Sequence, residues 1–217
     1  MIVLAIDTAL EACSVAIGRP EGAPVIRTEI IGRGHGERLF GMVSEVMAEA
    51  RVAFADIGRF AVTVGPGSFT GIRVGVAAVR GFALVTGKPA VGISTLTVHA
   101  AEARALGATG PVLALLDARA GGVYLQRFDG DGRPSGDAEA ANIQRATEFA
   151  AGTSLAGSGA RAIAAITGQP IVHERSAPDP ATLLALAMTA SPDGPPRPLY
   201  LRPPDATPAK AAALPRR

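Results

Sequence analysis

Tryptophan is absent from these 217 residues, aromatics of every kind make up 4%, and there is one cysteine. Each shortage excludes something. So few rings leave few platforms on which nucleic-acid bases stack, which argues against direct reading of single-stranded RNA. A lone cysteine, Cys13, builds no internal disulfide framework; alternating with Val15 and Ile17, it reads as a small hydrophobe on a strand face. The N-terminal Met1-Ile2-Val3-Leu4-Ala5-Ile6-Asp7 lacks the basic segment that opens a signal peptide, and no apolar run is read as reaching the roughly 18 residues of a membrane span, so a cytoplasmic setting is expected. Charge is sparse too, at 18% of residues with a net +2. Much of the basic excess sits in Arg197, Arg202, Lys210, Arg216 and Arg217, so the body is close to neutral and lacks a nucleic-acid footprint. The three histidines, His35, His99 and His173, are too far apart for any two to share a helical turn. A histidine metal site is therefore not expected, and His99, in a small and apolar stretch, reads as a structural residue.

What the chain does have is apolar bulk, 48% of residues, concentrated around residues 61–84. A β-branched run ends at Gly65-Pro66-Gly67, and Ser68 then caps an apolar segment, which predicts strand, tight turn and helix. Phe69, Ile72, Val74, Val76, Val79, Phe82 and Leu84 surround that helix, with Arg73 and Arg80 its charged residues. Such a helix needs cover on every face. Gly71, Gly75 and Gly81 each cost about 1 kcal/mol against alanine in a helix interior, which is tolerable where another backbone comes close. One face is expected to meet the sheet and the other a second helix, from this chain or another.

Three phosphate or nucleophile signatures fail on spacing. Gly71 is followed by Ile72, so no P-loop lysine is present; Gly65, Gly67 and Gly71 are one residue too widely spaced for a dinucleotide fingerprint; and Ser68 has no glycine two residues later, as a hydrolase elbow requires. Asp129-Gly130-Asp131-Gly132 lacks the spaced acidic ligands of an EF-hand and reads as a turn.

Residues 2–6, closed by Asp7, predict a strand. A returning strand follows through Cys13, Val15 and Ile17, and a third runs over 25–31. A helix is expected over 35–51, with Leu39, Val43, Val46 and Ala50 as its stripe, then a strand at 88–94 and a helix at 94–106. The opening pattern then recurs: an apolar strand ends at Asp117 and returns through 123–128, which implies a duplicated unit. A looser glycine turn at 154–159 precedes a helix through Ile166, and 180–190 forms a last helix.

Asp7-Thr8, His35-Gly36-Glu37-Arg38-Leu39, the Gly65-to-Gly75 segment, Asp117-Ala118-Arg119 with Val123-Tyr124, and Pro198-Leu199-Tyr200-Leu201-Arg202 occur in one order over almost the whole chain. Together they resemble the TsaB (YeaZ) family. The resemblance implies an α/β fold of two RNase H-like subdomains of the actin-like (sugar kinase, Hsp70, actin) superfamily. Mixed sheets flanked by helices are expected over residues 1–106 and 107–204, with a disordered tail at 205–217. It further implies a non-catalytic scaffold that pairs with a TsaD-like threonylcarbamoyl transferase and supports formation of threonylcarbamoyladenosine beside the tRNA anticodon. A TsaE-like ATPase joins that pair, tRNA is met through the complex, and the chain alone forms a homodimer. The implied interface comprises His35, Glu37, Arg38, Leu39, Met42, Val43 and Val46 on one helix, and Phe69, Ile72, Arg73, Val76, Ala77 and Arg80 on the other. No catalytic residue and no tightly bound cofactor or metal is expected in this chain, ATP and magnesium belonging to the complex.

Asp7, Thr8 and Asp117 mark a vestigial nucleotide cleft. The segment Thr8-Ala9-Leu10-Glu11-Ala12 has no glycine to wrap a phosphate, carries a repelling carboxylate at Glu11, and has Ala9 where the family commonly has serine. Asp7 and Asp117 either hold a metal across the cleft or cap strand ends, and no third ligand is visible. The rival reading is a free-standing nucleotide-binding ATPase or phosphotransferase of the same superfamily. A metallopeptidase comes third, without a zinc-ligand or Ser-His-Asp constellation in its support.

Overall fold

Two apolar runs, each ending in aspartate, start two sheets of the same design. The computed structural model describes residues 1–118 and 121–202. Arg119 of the second hairpin motif and the expected disordered tail lie outside the described residues. In the first half, β1 (Ile2–Asp7), β2 (Ala12–Gly18) and β3 (Val25–Ile30) form an antiparallel meander. α1 (His35–Ala50) crosses to β4 (Ile57–Thr63), and α2 (Phe69–Thr86) crosses to β5 (Ala90–Ile93); the order is β3-β2-β1-β4-β5, with β4 and β5 parallel to β1. After α3 (Thr95–Ala105) the design repeats. β6 (Val112–Ala118), β7 (Gly122–Phe128) and β8 (Glu139–Asn142) form the meander, while α4 (Ile143–Thr147), β9 (Ser154–Ala156), α5 (Ala160–Thr167) and β10 (Ile171–His173) complete the order β8-β7-β6-β9-β10. α6 (Pro180–Thr189) closes the second half as α3 closes the first.

β1 is a central strand covered on both faces, which is why it reads as an unbroken apolar run. Leu4 and Ile6 pack with Leu39, Met42, Val43 and Val46 of α1 and with Ile72, Val76 and Val79 of α2. On the opposite face, Ala5 lies level with Ala16 of β2 and Ala61 of β4. Against this row of small side chains α6 sets Leu183, Leu184 and Ala187. Burial of Leu183 and Leu184 stabilises by about 2 kcal/mol each. The ends of α6 are held as well, with Asp179 Oδ2 accepting from the Thr182 N–H at 2.8 Å and Arg59 Nη1 donating to the Ala187 and Ala190 carbonyls at 2.7 and 2.8 Å.

The second sheet uses the same two layers with the helices exchanged. Leu113, Leu115, Val123 and Leu125 face Ala146, Ala160 and Ile163 of α4 and α5, whereas Val112, Ala114, Leu116 and Phe128 face Leu96, Ala100 and Ala103 of α3. Each half therefore lends its last helix to the other half's sheet.

The helices expected over 35–51 and 68–84 form as α1 and α2, the second continuing two residues further. The short elements β8, α4 and β10 have no counterpart among the sequence-based expectations. Among the described residues, α2 is long and apolar enough to cross a membrane, contrary to the reading that no run reaches that length. Arg73 and Arg80 interrupt it, and Ile72, Val76 and Val79 seat it on the sheet, which is the signature of a core helix.

Candidate functional site

β4 delivers the chain to Val64-Gly65-Pro66-Gly67-Ser68, where it reverses into α2. Ser68 caps the helix as expected, its Oγ accepting from the Gly71 N–H at 3.3 Å. The turn is clamped to the first hairpin: the Ser68 N–H donates to the Ala9 carbonyl at 2.6 Å, and Thr8 Oγ1 donates to the Gly71 carbonyl at 2.7 Å. A Cβ at Gly67 or Gly71 would fall on the carbonyl oxygens of Ala9 and Thr8, and one at Gly75 would lie 2.5 Å from Thr8 Oγ1. The close approach implied by these glycines is thus made by the chain's own hairpin at Gly71 and Gly75. Gly81 faces open space.

Asp7 ends β1 completely buried. Its Oδ1 accepts from the Ala9 N–H at 3.1 Å and from the Thr63 hydroxyl, and Oδ2 has no partner. Burial pushes the carboxyl up to about 6, although the bonds from Thr63 and Ala9 pull the other way. Thr8 is equally buried. Leu10 packs against both the first core and the core beneath α3, and Glu11 Oε1 accepts from Ser176 Oγ of the second half. The tip of the hairpin is thereby pinned between the halves. Asp117, the counterpart on β6, is exposed, with its N–H donating to Ser158 Oγ at 2.9 Å. The three expected cleft residues are therefore split: a ligand meeting Asp117 from solvent finds Asp7 and Thr8 sealed inside.

The expected docking residues split as well. Leu39, Met42, Val43, Val46, Ile72 and Val76 are buried in the chain's own core, and His35 is buried beside them. Their periodicity reports the sheet-facing stripe, so these side chains offer a partner no surface, which corrects the expectation that they form the interface. Arg38 is held by Glu29 at 2.6 Å and by Glu45 at 2.8 Å. The Arg73 guanidinium lies 3.7 Å over the Phe69 ring, and its Nε–H donates to the Tyr200 hydroxyl at 2.9 Å, with the Tyr200 ring 4.9 Å from that of Phe69. The returning segment at Leu199 is bonded to the residue that follows β4, its N–H donating to the Val64 carbonyl at 2.7 Å.

The outward stripe of α2 carries Arg73, Ala77, Arg80 and Leu84, which a helix places on one face. Leu84 is 85% exposed, Val85 81%, and Phe40 of α1 54%. Phe40 meets Phe82 edge to face at 6.0 Å, so the apolar surface of α1 adjoins α2. Beside Leu84 an open cavity of about 510 Å³ is lined by Arg80, Gly81, Lys88, Pro89 and Pro195.

A family model described as TsaD, tRNA N6-adenosine threonylcarbamoyltransferase, matches residues 26–173, from β3 to β10. The solved YeaZ from Pseudomonas aeruginosa is 31% identical, superposes with a TM-score of 0.79, and is matched over 92% of this chain and 99% of its own. The chain belongs to the TsaB (YeaZ) family. TsaB of Escherichia coli K12, named for tRNA threonylcarbamoyladenosine biosynthesis, is 42% identical over 132 residues, which span 60% of this chain and 56% of that protein. The match thus spans little more than half of that relative. An uncharacterized Mycobacterium tuberculosis protein is 36% identical over 95% of this chain and 94% of its own length. The solved activator of 2-hydroxyisocaproyl-CoA dehydratase from Clostridium difficile, 12% identical with a TM-score of 0.51, shares the fold. The TsaB-family chain accordingly has the actin-like architecture, with two mixed five-stranded sheets flanked by helices.

Two of the histidines, although too far apart in the sequence to share a helical turn, come together in this TsaB-family fold. His99 and His173 meet, their ring centroids 5.4 Å apart. Spacing within a helical turn tests local neighbours, whereas these two are brought together by α3 and β10.

Proposed function

We propose that this chain is a non-catalytic scaffold in the formation of threonylcarbamoyladenosine on tRNA, pairing with a TsaD-type transferase through the outward stripe of α2 and the adjoining surface of α1. The observation that carries this reading is the contrast between the two ends of α2. At its start, the first hairpin, the segment with which an actin-like enzyme would wrap a phosphate, is packed onto the turn into α2, with Asp7 and Thr8 buried and Gly71 spent on that contact. Toward its end, Leu84, Val85 and Phe40 stand in solvent beside Ala77, Arg80 and a cavity. Apolar side chains gathered in this way on a surface mark a place for another protein.

In this reading a TsaE-like ATPase and tRNA are met through the pair, ATP and magnesium act elsewhere in the complex, and the same face mediates self-association when no partner is present. Titration calorimetry of the isolated chain with ATP and magnesium, run beside pull-down of a TsaD-type protein, tests it. The expected outcome is pairing without nucleotide binding. Saturable ATP binding abolished by Asp7→Asn, with no pairing, would instead establish the free-standing ATPase or phosphotransferase.

A further inference from the structure

A further buried polar cluster lies where α3 meets β10. His99 and Glu102 stand three residues apart on α3, hence on one helix face, and β10 brings His173 against them. All three side chains are buried. One ligand atom from each lies within 4.8 Å of the others, with His99 Nδ1 and His173 Nε2 each 3.9 Å from Glu102 Oε2. His99 Nδ1 and Glu102 Oε2 are buried atoms with no hydrogen-bond partner. An orphaned acceptor of this kind costs about 1–3 kcal/mol, and here two of them point into one space.

We propose that His99, Glu102 and His173 form a binding site for a divalent transition-metal ion of the zinc class, which ties α3 of the first half to β10 of the second. The opposite sides of His99 and Glu102 are already engaged, as outer partners engage ligands at metal sites. His99 Nε2 faces the Ser176 carbonyl at 3.1 Å; donating there leaves the Nδ1 lone pair aimed inward. The Arg175 guanidinium holds Glu102 Oε1, leaving Oε2 free. His173 is placed by two long contacts, Nε2 to the His99 carbonyl at 3.3 Å and Nδ1 to the Arg175 N–H at 3.4 Å. Loading moves the His173 ring proton from Nε2 to Nδ1 and gives up both contacts.

Two imidazoles and one carboxylate suit zinc rather than calcium or magnesium, which take oxygen. Tetrahedral zinc sets its donors about 3.4 Å apart, so the two 3.9 Å edges close by about half an ångström. Water takes the fourth position. Ser176 Oγ also donates to Glu11, so the ion would stiffen the junction where the first hairpin is pinned.

The test uses the full chain, freed of any tag and stripped with chelator, titrated separately with Zn²⁺ and Co²⁺. One ion per chain, the visible absorption of tetrahedral cobalt and a raised Tm are expected. Glu102→Gln and His173→Gln should each weaken uptake by about 100-fold or more, and Arg175→Ala, which removes an outer partner, by about 10-fold. Circular dichroism of the stripped variants identifies any that fail to fold, and the wild-type titration decides without them. No saturable uptake at stoichiometric concentration, an octahedral cobalt spectrum, or uptake unchanged by both ligand substitutions would overturn the site and leave the cluster as a pocket for ordered water.

Discussion

At the scale of single residues, two glycines of one helix have opposite roles, and both can be measured. A methyl group at Gly71 would meet the Thr8 carbonyl, a backbone group that cannot swing aside as a flexible side chain would. Gly71→Ala should therefore destabilise by about 3 kcal/mol in urea unfolding, the upper end for an overfilled site. A methyl group at Gly81 would have nothing within 4 Å of it, and the position is exposed in mid-helix, so Gly81→Ala should stabilise by about 1 kcal/mol. Asp7 gives a pH dependence. The folded chain holds its proton up to about pH 6, and the unfolded chain releases it near 3.8. The stability contribution is full below the lower value and falls as pH rises through the upper one, a loss of about 3 kcal/mol. Asp7→Asn should remove that slope between pH 4 and 7 in denaturation series. A wild-type stability that instead rises over this interval would show the carboxylate to be ionised and stabilised. The cap at Ser68 and the need for close approach at Gly71 and Gly75, though not at Gly81, were legible in the residues themselves. Which backbone comes close was not, because it lies about sixty residues earlier on the first hairpin.

At the scale of elements, α2 is two helices in one: an inner stripe of Ile72, Val76 and Val79 and an outer stripe ending in Leu84. Composition alone showed a helix apolar all round, and it could not say which side the sheet takes. The distinction matters for mutagenesis. Val76→Glu places a carboxylate in the core and should unfold the chain. Ala77→Glu and Leu84→Glu change exposed positions, so stability should stay within about 0.5 kcal/mol while capture of a TsaD-type protein falls at least tenfold. Thermal melts and pull-down on the three variants separate the two stripes. The long elements, β1, α1, β4 and α2, were readable because each carries apolar residues over many positions, as a run in the strands, as a stripe in α1 and on all sides in α2. β8 offers Glu139-Ala140-Ala141-Asn142 and β10 only three residues, too short for a period, and both are strands because neighbours pair with them.

At the scale of the molecule, the repeated hairpin announced a duplicated design, and the matching strand orders agree with it. The seating of α6 on the first sheet had no local signal, since it depends on contacts between residues nearly two hundred positions apart. It has a consequence for stability: a fragment of residues 1–106 lacks Leu183, Leu184 and Ala187 over Val3, Ala5 and Ala61. Such a fragment should bind a hydrophobic dye and lose its cooperative melt, whereas a sharp transition would show that the first half stands alone. The meeting of His99 with Glu102 and His173 was equally hidden, arising where the lent helix crosses the second sheet.

The account as a whole turns on α2 presenting its outer stripe to a second protein while its inner stripe holds the fold. Light scattering of the chain mixed with a TsaD-type transferase, wild type beside Leu84→Glu, measures this most directly. The account predicts a one-to-one complex for the wild type and separate components for the variant at unchanged Tm; a complex of the same mass and affinity from both would contradict it.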